Sequence, residues 1–233
     1  MYNVLDRGVN MKEYTKNQVH EVACAFNEHK IIALPTDTVY GVGVKYGNLE
    51  DLERLKRAKH RPETKPIPMM VSNVEQMKQV ALVDERIEKI AAKFLPGALT
   101  LVVNVKDSVD SAYTNGLSTI AIRIPDEKFI LDVIDELNCP ILVTSANQSG
   151  EKTALTSDDV YEQLPKIDGI VHGTCKALGK YDCRLYKGKV TNLKTWTYFF
   201  RRTRIRIIEK TPRTYVVGHR PGCIRTHLEV VCF

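Results

Sequence analysis

Residues 31 to 71 constrain the fold more tightly than any other part of the chain. They open with Ile31-Ile32-Ala33-Leu34, a short apolar run of strand type. The run breaks at Pro35-Thr36-Asp37-Thr38-Val39-Tyr40-Gly41-Val42-Gly43. One proline and two glycines in nine residues predict a loop that passes close to another part of the molecule. Apolar residues at 49, 52, 55 and 58 then follow helical spacing. The helix ends in Lys56, Arg57, Lys59, His60, Arg61 and Lys65, punctuated by Pro62 and Pro66. Five fixed cations and a histidine within ten residues leave two readings open. One is a solvated face. The other is a polyphosphate site, with Arg61 and Lys65 presented from a proline-stiffened turn.

The rest of the chain alternates between strand and helix patterns. Asn17 to His29 carries apolar residues at 19, 22, 23 and 26, which predicts a helix with Thr15 as N-cap. Ile67 to Val71 reads as a short strand, and Pro68 within it points to an edge position or a bulge. Helices are predicted from Ser72 or Asn73 through Val80, and from Asp84 to Phe94. Leu99 to Val103 is a strand, followed by Leu117 to Pro125. There the apolar residues at 120, 122 and 124 leave Thr119, Ala121 and Arg123 on the opposite face. Arg123 is either a half-exposed structural residue or a fork for a carboxylate. Asp126 to Leu137 is helical, and Pro140 to Thr144 is a strand. It runs into Ser145-Ala146-Asn147-Gln148-Ser149-Gly150, residues that suit a turn or a site for phosphate or ribose oxygens. Ser157 caps a predicted helix to Leu164, and residues 169–173 form the last clear strand.

At 233 residues the chain suffices for one domain, with or without an appendage. No apolar run approaches the roughly 20 residues of a membrane span. The first twenty residues lack an apolar signal core, so the expected location is cytoplasmic, and Met11 is a candidate second start. The six cysteines (24, 139, 175, 183, 223 and 232) form no C-x-x-C pair or zinc spacing, so free thiols are expected. Charge is uneven. Residues 181–233 hold 12 Lys and Arg against 3 Asp and Glu, a net of +9, whereas the remainder is at −3. In that tail, Trp196-Thr197-Tyr198-Phe199-Phe200 precedes Arg201-Arg202-Thr203-Arg204-Ile205-Arg206. This fits an RNA-binding surface, a basic edge hairpin, or a tail whose reading frame has diverged.

Pro35-Thr36-Asp37-Thr38-Val39-Tyr40-Gly41, Lys59-His60-Arg61-Pro62 and Lys65-Pro66-Ile67 together resemble the YrdC-like family of threonylcarbamoyl-AMP synthases. Ser145-Ala146-Asn147, following the arginine strand, agrees in order and spacing. The resemblance spans about residues 16 to 180 and implies a catalytic domain at 12–180, with 181–233 a divergent basic segment that could complete it. It implies an α/β fold: a twisted mixed sheet flanked by helices, with a concave, positively charged cleft. The form expected is the short one, without the additional C-terminal domain of longer relatives. The implied reaction joins L-threonine, bicarbonate or CO2, and ATP into threonylcarbamoyl-AMP and pyrophosphate, with Mg2+ arriving with ATP. The product would pass to a transferase complex that modifies tRNA.

Residue by residue, the resemblance implies Thr38, Met70, Arg123 and Val143 for threonine. It implies Lys59, Arg61, Lys65, Thr119, Ser145, Asn147, Thr153 and Arg220 for ATP, with Lys59 and Arg61 carrying the catalytic charge. Met70 stands where some relatives have histidine, so it offers packing but no hydrogen bond. The Ser-Thr strand that the family places after residue 179 is missing, and His219-Arg220-Pro221-Gly222 comes late. The competing function is an RNA-binding module, or a maturation factor that uses the same cleft without turnover.

Overall fold

The computed structural model describes residues 11–61, 66–175, 206–211, 214–218 and 228–231, the last three segments as backbone strands. Lys65 and Arg220 lie outside the described residues, as do the Trp196–Arg204 stretch and Cys183, Cys223 and Cys232.

The first element among the described residues is a three-residue strand β1 (Lys12–Tyr14), too short to leave a sequence period. Helix α1 (Val19–Asn27) buries Val22, Ala23, Ala25 and Phe26 on one face. Its N-cap is Gln18, without a side-chain cap bond, while the Thr15 N–H donates to Gln18 Oε1 at 2.9 Å. Strand β2 (Ile32–Pro35) turns through residues 36–39 into β3 (Tyr40–Lys45). The expected loop is therefore shorter than its glycines suggested, because Gly41 and Gly43 are strand residues. They are needed where β3 runs against its neighbour: a Cβ at Gly41 would stand 2.6 Å from Val143 Cγ1, and one at Gly43 2.9 Å from Val143 Cγ2.

Helix α2 (Leu49–Ala58) is capped by Asn48, whose side chain accepts from Glu50 N. It is followed by β4 (Met69–Met70), α3 (Val74–Val80) and α4 (Glu85–Phe94), the helices capped by Asn73 and Asp84. Strands β5 (Thr100–Asn104) and β6 (Thr119–Arg123) form an antiparallel pair. Helix α5 (Lys128–Leu137) leads to β7 (Ile141–Ser145), then α6 (Ser157–Gln163) and β8 (Gly169–Val171). The cap of α6 is Thr156 rather than Ser157, in a reciprocal capping box with Asp159.

The strand order is β1-β8-β2-β3-β7-β4-β6-β5 across residues 12–171. It continues through β11 (Leu228–Val231), β10 (Thr214–Gly218) and β9 (Arg206–Thr211), with β11 antiparallel to β5. Pairing is parallel for β1–β8, β8–β2 and β4–β6, and antiparallel elsewhere, so the sheet is mixed. Strand β4 is not at an edge. It sits between β7 and β6, and Pro68 is tolerated because it precedes the two-residue strand and offers only its carbonyl, to Val143 N at 3.0 Å.

Alternation splits the core across the sheet. On one face Ile32, Leu34, Met70, Ile141 and Val143 pack under α1 and α5, against Phe26, Phe129, Ile130 and Val133. On the other, Ala33, Val42, Val44, Leu101, Ile122 and Leu142 pack under α2, α3, α4 and α6. Each fully buried large apolar side chain contributes about 1.5–3 kcal/mol, so both helix layers are pinned to the sheet. Among the described residues no helix is long and apolar enough to cross a membrane, and Cys24, Cys139 and Cys175 are free thiols.

Candidate active site

The turn between β2 and β3 is built by its own hydroxyls. Thr36 Oγ1 accepts from the N–H groups of Thr38 and Val39 and donates to Val39 O at 2.8 Å. The Thr36 and Thr38 hydroxyls lie 3.0 Å apart. This fixes Asp37 and Thr38 at the mouth of the turn.

Arg123, the last residue of β6, points into this turn. The sequence left it open whether the residue was half exposed; it is 4% exposed. Its Nε donates to Gly97 O at 2.9 Å, Nη1 to Thr38 Oγ1 at 3.2 Å and Nη2 to Asp37 Oδ1 at 2.6 Å. The register places Met70 beside Arg123 and opposite Ile141. Met70 and Val143 belong to the same apolar cluster. Thus the four residues expected at threonine (Thr38, Met70, Arg123 and Val143) converge on one side of the sheet.

A second group forms where α2 ends. His60 has φ +48 and reverses the chain, with Arg61 N bonding back to Lys56 O at 2.9 Å. The cation-rich run is thereby dispersed. Lys56 is buried against Glu53, Arg57 and His60 are exposed, and Lys59 is only 2% exposed. The Lys59 ammonium donates to the carbonyl oxygens of Ser145 and Asn147, and Ser149 N returns a bond to Lys59 O at 3.1 Å. Burial, with help from the neighbouring Arg61 charge, pulls Lys59 down to about 7. Arg61 is half-buried, with Nη2 donating to Pro66 O at 3.0 Å and Nη1 3.5 Å from Thr144 Oγ1. Burial lowers its pKa as well.

Asn147 Nδ2 donates to Gln148 O and Glu151 O, whereas its buried Oδ1 has no partner among the described residues. Ser145 and Thr153 are partly buried on the same loops. Thr119 opens β6, paired with Asn104 and about 13 Å of strand from Arg123.

Two residues that the sequence did not single out hold these groups together. Asp37 anchors Arg123. Tyr40, fully buried, joins three loops: its N–H donates to Ala154 O at 3.0 Å, its carbonyl accepts from Ala146 N at 2.7 Å, and its single O–H is shared between Val171 O and Gly173 O. Burial pushes that phenol up to about 12, so it remains a donor. In the sequence Tyr40 shows only as one residue of the 35–41 motif, an aromatic ring among short polar residues. Among the described residues no group of three His, Cys, Asp or Glu side chains converges to hold a metal ion.

The chain is similar to known proteins in sequence and in fold. Residues 24–182 match the Sua5_yciO_yrdC family profile, whose description is telomere recombination. The chain is 33% identical over 165 residues to the threonylcarbamoyl-AMP synthase of Bacillus subtilis, covering 70% of this chain and 48% of that protein. It is 33% identical over 168 residues to the threonylcarbamoyl-AMP synthase of Pyrococcus abyssi, covering 71% and 49%. It therefore spans about half the length of these relatives. The crystal structure of P. abyssi Sua5 complexed with L-threonine superposes with a TM-score of 0.66 at 31% identity, covering 70% of this chain and 50% of that one. With the profile matched over more than half its length and the same mixed sheet underneath, the chain belongs to the Sua5/YciO/YrdC family.

Proposed function

We propose that this chain is a threonylcarbamoyl-AMP synthase. The observation that carries the reading is the buried guanidinium of Arg123, oriented by Gly97, Thr38 and Asp37 in a chain related to a protein solved with L-threonine. Threonine binds with its carboxylate on Arg123, its hydroxyl near Thr38, and its methyl against Met70 and Val143. Its amine, once deprotonated, forms a C–N bond to the carbon of bicarbonate, and water leaves, giving the carbamate. A carbamate oxygen attacks the α-phosphorus of Mg2+-bound ATP; the bond from that phosphorus to the bridging oxygen breaks, and pyrophosphate leaves with the electron pair. Both reactants are anions, so the barrier is largely their repulsion. Lys59 and Arg61, with Lys65, offset it. Asn147 Oδ1 supplies an acceptor for a nucleotide hydroxyl, with Ser145, Thr153, Thr119 and Arg220 completing the nucleotide contacts. The product serves a tRNA-modifying transferase.

The test is release of pyrophosphate from ATP together with mass-spectrometric detection of the adenylate. The expected result is formation that requires both L-threonine and bicarbonate. ATP turnover independent of either, or no adenylate at all, overturns the proposal. The tail's net charge of +9 favours RNA contact as well; a protein that only binds RNA would release no pyrophosphate.

A further inference from the structure

The Arg123 guanidinium has five N–H donors, of which three are occupied within the fold. Because Nε is taken by Gly97 O, the side-on approach to the fork is closed. A carboxylate must reach it end-on, through the remaining hydrogens of Nη1 and Nη2. That approach brings the ligand directly beside Asp37, whose Oδ1 lies 2.6 Å from Nη2. Asp37 Oδ2 has no partner among the described residues. The Asp37 side chain is 12% exposed and that of Arg123 5%, so the pair is dry enough for charge to count yet open on one side.

We propose that Asp37 is a specificity-determining residue: Oδ2 receives the ammonium of the amino acid whose carboxylate rests on Arg123. An α-amino acid carries its opposite charges on groups attached at two adjacent carbons. Laid antiparallel along the Asp37–Arg123 pair, it meets each charge with its opposite. The Thr36 hydroxyl bonds prevent Asp37 from swinging away, since they fix the backbone on its C-terminal side. The site thereby selects a zwitterion over a simple hydroxy acid and aims the amine at a defined point before it becomes the carbamate nitrogen. This assignment rests on the proposed threonine substrate and adds a residue to it.

Geometry also allows an opposite role, in which Asp37 merely occupies the arginine until the substrate displaces it. The two roles differ in sign. Calorimetric titration of the full chain with L-threonine, and with 3-hydroxybutanoate, which lacks only the amine, separates them. The wild type is expected to bind threonine at least tenfold more tightly than 3-hydroxybutanoate. Asp37→Asn is expected to weaken threonine at least tenfold while leaving 3-hydroxybutanoate within about twofold. A loss of fold would weaken both ligands alike, so the ratio reports the clamp. Equal or tighter threonine binding by Asp37→Asn overturns the clamp and leaves the substrate assignment standing. Equal wild-type affinity for the two ligands overturns it without recourse to any variant. A wild type that binds neither overturns the clamp and the threonine reading together.

Discussion

Arg123 is a buried charge with a buried partner, and that sets what its removal does. Arg123→Ala leaves Asp37 without its counter-ion, a change that costs about 3–5 kcal/mol in other proteins. The expected outcome is a lower thermal midpoint together with a threonine KM raised more than tenfold while the ATP KM stays within about twofold. Equal effects on both KM values would contradict its assignment to the carboxylate. Lys59 makes a pH prediction. Its ammonium is disfavoured by burial, with a pKa near 7, and a triphosphate beside it would draw the proton back. Between that value and the ordinary lysine range, binding takes up a proton, so nucleotide affinity falls as pH rises from 7 to 9. Lys59→Arg cannot titrate in this window and should flatten the slope. A pH-independent wild-type affinity would show that Lys59 does not sense the phosphates.

At the level of elements, β3 pairs with β7 and carries no side chain at Gly41 and Gly43, where Val143 fills the space. Gly43→Ala would place a methyl against the Leu142 carbonyl and Val143, so the strands must part. Overpacking of this kind costs about 1–3 kcal/mol. Chemical denaturation should show a loss in that range, with adenylate formation falling as well, because the Tyr40 and Ser145 ends of the same strands carry the site loops. Much of this was legible beforehand. The spacing 49, 52, 55, 58 gave α2 to the residue, and the alternation in 120–124 placed Arg123 opposite the apolar face. What escaped was set by tertiary partners. The two-residue β4 has no period to detect, and its central position depends on β6 and β7, which lie far along the chain. The glycines of β3 answer to Val143, a hundred residues away. The cationic run looked like one surface because sequence does not show that His60 turns the chain and that Lys59 folds inward onto carbonyls. Asp37 and Tyr40 lay within the recognised motif, but only the folded chain shows what they hold.

For the whole molecule, the sheet joins the family domain to the tail through β11 on β5, so the body's far edge is not left open among the described strands. The body is at −3 and residues 181–233 are at +9. Full-length protein should accordingly elute from heparin at higher salt than a chain ending at Lys180. Coincident elution would place the polyanion contacts in the body.

The narrowest part of the sheet is the pair Met69–Met70, which alone separates the strand bearing Arg123 from the strand leading to Ser145. Met69 is buried in one core and Met70 in the other, so a single two-residue strand ties both helix layers together at this point. Under the proposed function, the spacing between the amino-acid end and the nucleotide end is set by two uncharged thioether side chains.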